Sequence, residues 1–305
     1  MRVKCLHIQR LRRFKMKTGI FTISEEAYHA DNLGDEITLS NSIAKIIINQ
    51  SPQHAWYAHS KLNPNYQPYE SDRFDLGTAC HSLLLEQSDS KIVYIDADDF
   101  RTNAAKEQRD MARAKGLTPI LRKYEFSMLQ MVSKAHEKIK NSELAGIFQN
   151  GNPEQTLVWQ EGDSWCRARL DWLRADNKVI LDYKTTDSAD PETCIRKISA
   201  MGYDMQASFY KRGLVACGGS EDAVFVFLFQ EITAPYACCL IALSPMFLEI
   251  ADDKVSQAIN IWDMCMKTGK WPSYPDSVTI AEPPAWQMTQ YLNMMEERAL
   301  GENNE

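Results

Sequence analysis

Between Glu154 and Lys184, acids and cations recur at a spacing that two tight turns would bring into one row. Gly162-Asp163 and Asp176-Asn177 are two-residue hairpin signals between alternating segments. If each is a two-residue loop, Ala175 faces Lys178, and counting back puts Asp171 directly across from Asp182. By the same count Glu161 faces Ser164, and Glu154 falls across from Asp171. Arg169 and Lys184 stand two residues from Asp171 and Asp182 and share their face, because side chains alternate along a strand. The opposite face then carries Leu157, Trp159, Ala168, Leu170, Trp172, Val179 and Leu181 as a core face. Cross-strand neighbours lie about 5 Å apart at Cβ, where two unit charges at an effective dielectric near 20 repel by roughly 3 kcal/mol. A single Lys184 cannot offset two such contacts. The row therefore needs a cation, and hard oxygen ligands on a rigid sheet suit Mg²⁺ or Mn²⁺. If either turn is longer than two residues, the row breaks and these are ordinary surface acids; geometry alone leaves both readings open.

The elements that must position this row follow from periodicity. Ser40 or Ser42 caps a helix through Ile43–Ile48 that Ser51-Pro52 ends. Residues 73–86 read as a helix with Phe74, Gly77, His81, Leu84 and Leu85 on neighbouring turns. The segment of about 97–150 is polar, with helical spacing in Leu121–Ile139, and predicts an inserted helical layer. Strands are expected over 154–161, 164–174 and 178–184, then a helical stretch over 191–217 interrupted near Gly202. Two apolar strands (223–230 and 236–243) and a helix from Ser244-Pro245 to about Met266 complete a single domain over 16–270. Residues 271–305 read as an irregular tail, disordered over 302–305. Helical layers around a central meander give the α/β (α+β) class.

The chain has 305 residues, 44% hydrophobic and 25% charged, which suits a folded domain and argues against global disorder. No window approaches the apolar length of a membrane span, and Met1–Met16 has no apolar signal region. The net charge of −7 argues against a simple nucleic-acid coat protein but leaves room for a local basic groove. Residues 1–15 carry six cations and no acid, either as a basic arm or because Met16 is the natural start; the second reading is preferred. The eight cysteines contain no C-x-x-C pair, so zinc and iron–sulfur sites are not expected, and reduced thiols are.

Ile180-Leu181-Asp182-Tyr183-Lys184-Thr185 sets an acid and a lysine one residue apart at a strand end. With Asp171 on the preceding strand it resembles the PD-(D/E)XK nuclease core. Three further segments fall in the order of the RecB-like branch: Gly77-Thr78-Ala79-Cys80-His81, Arg169-Leu170-Asp171 and Gln206-Ala207-Ser208-Phe209-Tyr210. Gly19-Ile20-Phe21, Tyr28-His29-Ala30, the 39–52 helix and Gly202–Gln206 are similar to the RecE (exonuclease VIII) C-terminal nuclease domain and its phage relatives. The resemblance implies a central mixed sheet flanked by helices. It implies metal ligation by His81, Asp171, Asp182 and the Tyr183 carbonyl, with Lys184 acting on the attacking water and Glu154 as a further catalytic acid. Gln206 and Tyr210 would contact DNA or brace the site; Arg167 and Arg169 are phosphate contacts or counter-charges. It also implies Mg²⁺-dependent 5′→3′ digestion of duplex DNA ends in a bacterial cytoplasm, from a phage or prophage gene. The enzyme would be a ring-shaped homo-oligomer, tetramer ahead of trimer, with a RecT-type annealing partner and no membrane contact. A structure-selective or single-strand nuclease in a repair or defence complex, and a catalytically silent DNA-binding scaffold, are the alternatives.

Overall fold

The computed structural model describes residues 16–67 and 72–302, so the expectations for 1–15 and for 303–305 lie outside the described residues. The chain divides into a main unit ending at Pro272 and a second unit from Ser273 onward. Proline sets the first helical residue behind an oxygen cap in three helices: Ser51-Pro52, Asp190-Pro191 and Ser244-Pro245. Of the two candidate caps for the first apolar helix it is Ser40 whose hydroxyl accepts from the Ile43 amide.

In chain order the main unit runs β1 (Gly19–Thr22), α1 (Glu25–His29), β2 (Thr38–Ser40), α2 (Asn41–Asn49), α3 (Pro52–Ala58) and α4 (Asp72–His81). A π turn (Ser82–Glu86), β3 (Ile92–Ile95), α5 (Asn103–Ala114), β4 (Thr118–Leu121) and α6 (Glu125–Lys140) follow. Then come β5 (Gly151–Glu161), β6 (Ser164–Arg174), β7 (Val179–Thr186), α7 (Pro191–Ala200), α8 (Tyr203–Ala216), β8 (Val224–Glu231), β9 (Cys238–Ala242) and α9 (Pro245–Thr268). The main sheet has the order β1-β5-β6-β7-β8-β9, with β2 also pairing β6. β7–β8 and β2–β6 are parallel and the other pairs antiparallel, so the sheet is mixed.

Both faces of the sheet are covered, and β8 states this most directly. Phe225, Phe227 and Phe229 join the core under α2, α7, α8 and α9, while Val226 and Leu228 join the core under α4, the π turn and α6. Gly213 on α8 lets the helix settle on Trp159 of β5: a Cβ there would lie 2.6 Å from the indole. Gly213→Ala should therefore overpack this contact by about 1–3 kcal/mol, read as a lower melting temperature with the far-UV spectrum unchanged.

Three sequence expectations need correction. The inserted segment is not purely helical, because β4 lies within it and pairs in parallel with β3, which directly precedes it. Residues 271–305 are not irregular throughout: Trp271 packs on Trp262 in the main unit, and α10 (Ala285–Glu302) forms in the second. From Ala285 to Leu300 there is neither proline nor glycine, and good helix formers dominate. Lastly, the seven apolar residues expected on one face are divided. Leu157, Trp159, Ala168 and Leu170 lie in one core, and Trp172, Val179 and Leu181 in the other. Among the described residues no helix is long and apolar enough to cross a membrane.

Candidate active site

The register counted through both turns holds: Glu161 pairs with Ser164, and Trp172 with Leu181. Gly162 and Asn177 take the left-handed backbone that tight turns need, at φ +61° and +56°. What the count does not convey is a break at its centre. Pairing between β5 and β6 skips the Glu154–Asp171 rung, and Glu154 sits at φ +57°. Beyond that rung the alternation of β6 turns over, which is why Leu170 and Trp172 face different cores. On its other edge β6 is shared: residues 165–167 pair with β2, and only Trp172 and Leu173 pair with β7. From Asp182 onward β7 leaves β6 and continues along β8. The acids occupy the resulting fork.

Asp171 spans the fork, its Oδ2 accepting the Tyr183 amide at 2.9 Å where a ladder carbonyl would otherwise serve. Asp182 is fully buried; Gln206 donates to its Oδ2 at 2.6 Å, and Lys184 Nζ lies 2.5 Å from Oδ1. The Lys184 ammonium is the ion-pair partner of Oδ1, which accepts no further hydrogen bond. Burial and the neighbouring Asp171 charge push the Asp182 carboxyl up to about 6, against the pull of Lys184. Burial would also raise Asp171, but His81 and Lys184 together hold it below its ordinary range. Burial opposes the Lys184 ammonium, yet Asp182 and Asp171 raise it to about 12.

His81 ends α4 with Nε2 at 3.4 Å from both Asp171 Oδ2 and Glu154 Oε1. Burial works against its charge, but these carboxylates raise it to about 9. Glu154, whose carboxyl burial raises above its usual range, accepts from Arg169. Glu86 joins them: ligand atoms of His81, Glu86 and Glu154 all lie within 4.8 Å of one another. An α-helix would turn residues five apart away from each other; the π turn after His81 winds by i→i+5 and returns Glu86 to the same side. Glu86 was not among the sequence candidates, because helical counting separates it from His81.

For Arg167, Arg169, Gln206 and Tyr210 the sequence leaves DNA contact and an internal role open. Arg167 is 5% exposed, ion-paired to fully buried Asp31 at 2.7 Å and bonded to Thr38, so it is an internal counter-charge and not a surface phosphate contact. Arg169 is the counter-charge of Glu154 and donates to the Ile23 carbonyl. Gln206 is buried and holds Asp182, and Tyr210 is buried with its ring 6.0 Å from Phe225; both brace the site from α8. Tyr183 is anchored from behind, its hydroxyl donating to Gln230, which in turn donates to the Met131 carbonyl of α6.

Carboxylates and one imidazole, a buried Asp182 oxygen that accepts no hydrogen bond, and two acids pushed toward neutrality make up a set of hard oxygen and nitrogen ligands. It fits a hard divalent cation. Strand acid, acid-x-lysine and a flanking helical histidine on a mixed sheet covered on both faces define the PD-(D/E)XK nuclease fold. Residues 41–282 match the family described as PDDEXK-like domain of unknown function (DUF3799), and the chain belongs to that family. The fold is similar to that of a protein from Eubacterium rectale described as a "putative exonuclease", at 14% identity over 88% of this chain and 98% of that one, with a TM-score of 0.56. A phage related exonuclease from Haemophilus somnus 129PT matches over 63% of this chain and 95% of its own at 15% identity; its TM-score of 0.29 is too low to compare folds. No curated protein matches the chain.

Proposed function

We propose that this protein is a divalent-metal-dependent exonuclease that hydrolyses duplex DNA from its 5′ end, leaving a 3′ single strand for recombination. The observation that carries this reading is the fork itself, with Asp171, the Asp182–Lys184 pair and His81 gathered at one strand opening. Asp171, Asp182, His81 and Glu154, with Glu86 and the Tyr183 carbonyl, are the residues that would hold the metal. Bound there, Mg²⁺ or Mn²⁺ would supply an activated water and neutralise charge on the phosphate. The protein's own groups do the positioning. Lys184 presents an ammonium beside the Asp182 carboxylate, where it can hold the attacking water and meet developing phosphate charge. Gln206 fixes Asp182, and Arg169 fixes Glu154, so neither acid has to be ordered when substrate arrives.

The likeness to the RecE group extends the proposal to a ring-shaped homo-oligomer, tetramer or trimer. It also extends it to a RecT-type annealing partner and to a phage or prophage setting in a bacterial cytoplasm. The test is digestion of linear duplexes labelled at the 5′ or the 3′ end beside a closed circular plasmid, with Mg²⁺ and with EDTA. Loss of the linear form alone, from the 5′ label and only with metal, is the expected result. Cutting of the circle would replace the exonuclease by an endonuclease, and no cleavage with any metal would leave a DNA-binding scaffold. Metal binding has a readout independent of cleavage. Mg²⁺ at about 100 times its Kd should stabilise the fold by about 2.7 kcal/mol, seen as a rise in melting temperature that EDTA reverses.

A further inference from the structure

Between Ile43 and Ile48 every residue of helix α2 is apolar except Lys45, set between core residues Ala44 and Ile47. Its side chain runs across Gly202, where a Cβ would come within 2.8 Å of Lys45 Cδ; the left-handed glycine between α7 and α8 leaves the channel for it. At the end of that channel Nζ donates to the Met201 carbonyl at 3.2 Å and lies 5.6 Å from the centre of the Tyr203 ring. The Lys184 ammonium lies 5.2 Å from the centre of the same ring. Each neighbouring lysine has its own acid: Lys184 pairs with Asp182, and Lys254 with buried Asp204 at 2.6 Å. Among the described residues Lys45 pairs with none; a carbonyl and an aromatic face are its partners. Burial and the Lys184 charge push its ammonium below the ordinary range, while Asp182 and Asp204 only partly compensate.

A half-buried cation held beside a second cation, without an anion of its own, is completed by one that arrives. We propose that Lys45 is a substrate-phosphate contact. A backbone phosphate of the nucleic acid would dock on its ammonium between α2 and the start of α8, next to the phosphate presented to the fork. The assignment rests on the nuclease reading above and deepens it by naming where the neighbouring backbone is gripped. Lysine suits this role as a compact point charge that needs no fixed fork geometry.

The experiment measures binding of a labelled duplex oligonucleotide by fluorescence anisotropy across a salt series, in an Asp182→Asn background that does not cleave. Lys45→Met keeps the stem that fills the channel, and Lys45→Arg keeps the charge; thermal melting checks that both fold. The expected result is roughly tenfold weaker binding for Lys45→Met. Its slope of log K against log salt should be shallower by about 0.9, with the slope retained in Lys45→Arg. In the Asp182-intact protein the same substitution should raise KM by a similar factor more than it lowers kcat. Unchanged affinity and slope in Lys45→Met, or a fall in kcat alone, would overturn the assignment while leaving the nuclease reading standing. A parent protein that neither binds nor cleaves any duplex would overturn both.

Discussion

Asp182→Asn should abolish cleavage and at the same time raise the melting temperature of the metal-free protein. The loss of activity, on the order of 10³-fold or more, follows from removing the carboxylate at the centre of the fork. The gain in stability follows from the charge it carries there. The Asp182 carboxyl is fully buried and raised from 3.8 to about 6 by burial and by Asp171. Each unit of such a shift is about 1.4 kcal/mol, so ionised Asp182 opposes folding by roughly 3 kcal/mol at pH 7. Because the folded value is the higher one, this penalty is absent below about pH 4 and complete above about pH 6. The amide removes the charge but sets a donor opposite Gln206 or Lys184, which returns about 1–2 kcal/mol of the gain. A net rise of a few degrees in EDTA, with a weaker dependence on pH between 4 and 6 than the parent shows, is the outcome to measure. A lower melting temperature at pH 7 would mean that the acid is not under the repulsion described.

Lys184→Met should also inactivate, by about 10²–10⁴-fold in kcat, but with the opposite effect on stability. Lys184 is raised from 10.5 to about 12, chiefly through Asp182, against the opposition of its own burial. Its contribution to folding is therefore complete below about pH 10.5 and lost as pH rises through 12. Removing one partner of a buried pair strands the other, at about 3–5 kcal/mol when that partner must stay charged. Here Asp182 can take up a proton, so a loss of about 2–3 kcal/mol is expected at pH 7–8, shrinking toward pH 5. Two inactive variants that melt on opposite sides of the parent protein would separate the roles of acid and lysine, which activity alone cannot do. Equal shifts of the same sign would refute the ion-pair account.

Much of this site was legible in the sequence, because short-range geometry determines it. Two turns with glycine or asparagine at the left-handed positions set the register of β5, β6 and β7, and the acid row followed by counting. The reversal of faces at Asp171 was not legible: it falls at the rung where a non-glycine residue of the neighbouring strand, Glu154, adopts positive φ, for which the residue type gives no signal. Glu86 escaped because it is adjacent to His81 only through a π turn. The sequence left Arg167 open between phosphate contact and counter-charge, because its partner Asp31 is far away in sequence and β2, only three residues long, covers that part of β6. The second helical unit was readable but was masked by the prolines that precede it, Pro283-Pro284.

The inserted segment has one further consequence, in chain entropy. Pairing Gly19 with Val158 closes a very long stretch of chain, and none of the fork acids lies between β3 and the start of β5. The entropy of closing a long loop grows only logarithmically, so even doubling its length adds about 0.6 kcal/mol. The turn between α5 and β4 is open at Gly116, where a Cβ would meet nothing within 4 Å. The tip of the insertion is thus a place where the chain can be lengthened, or another folded module spliced in, at small thermodynamic cost to the sheet and without displacing a single acid of the fork.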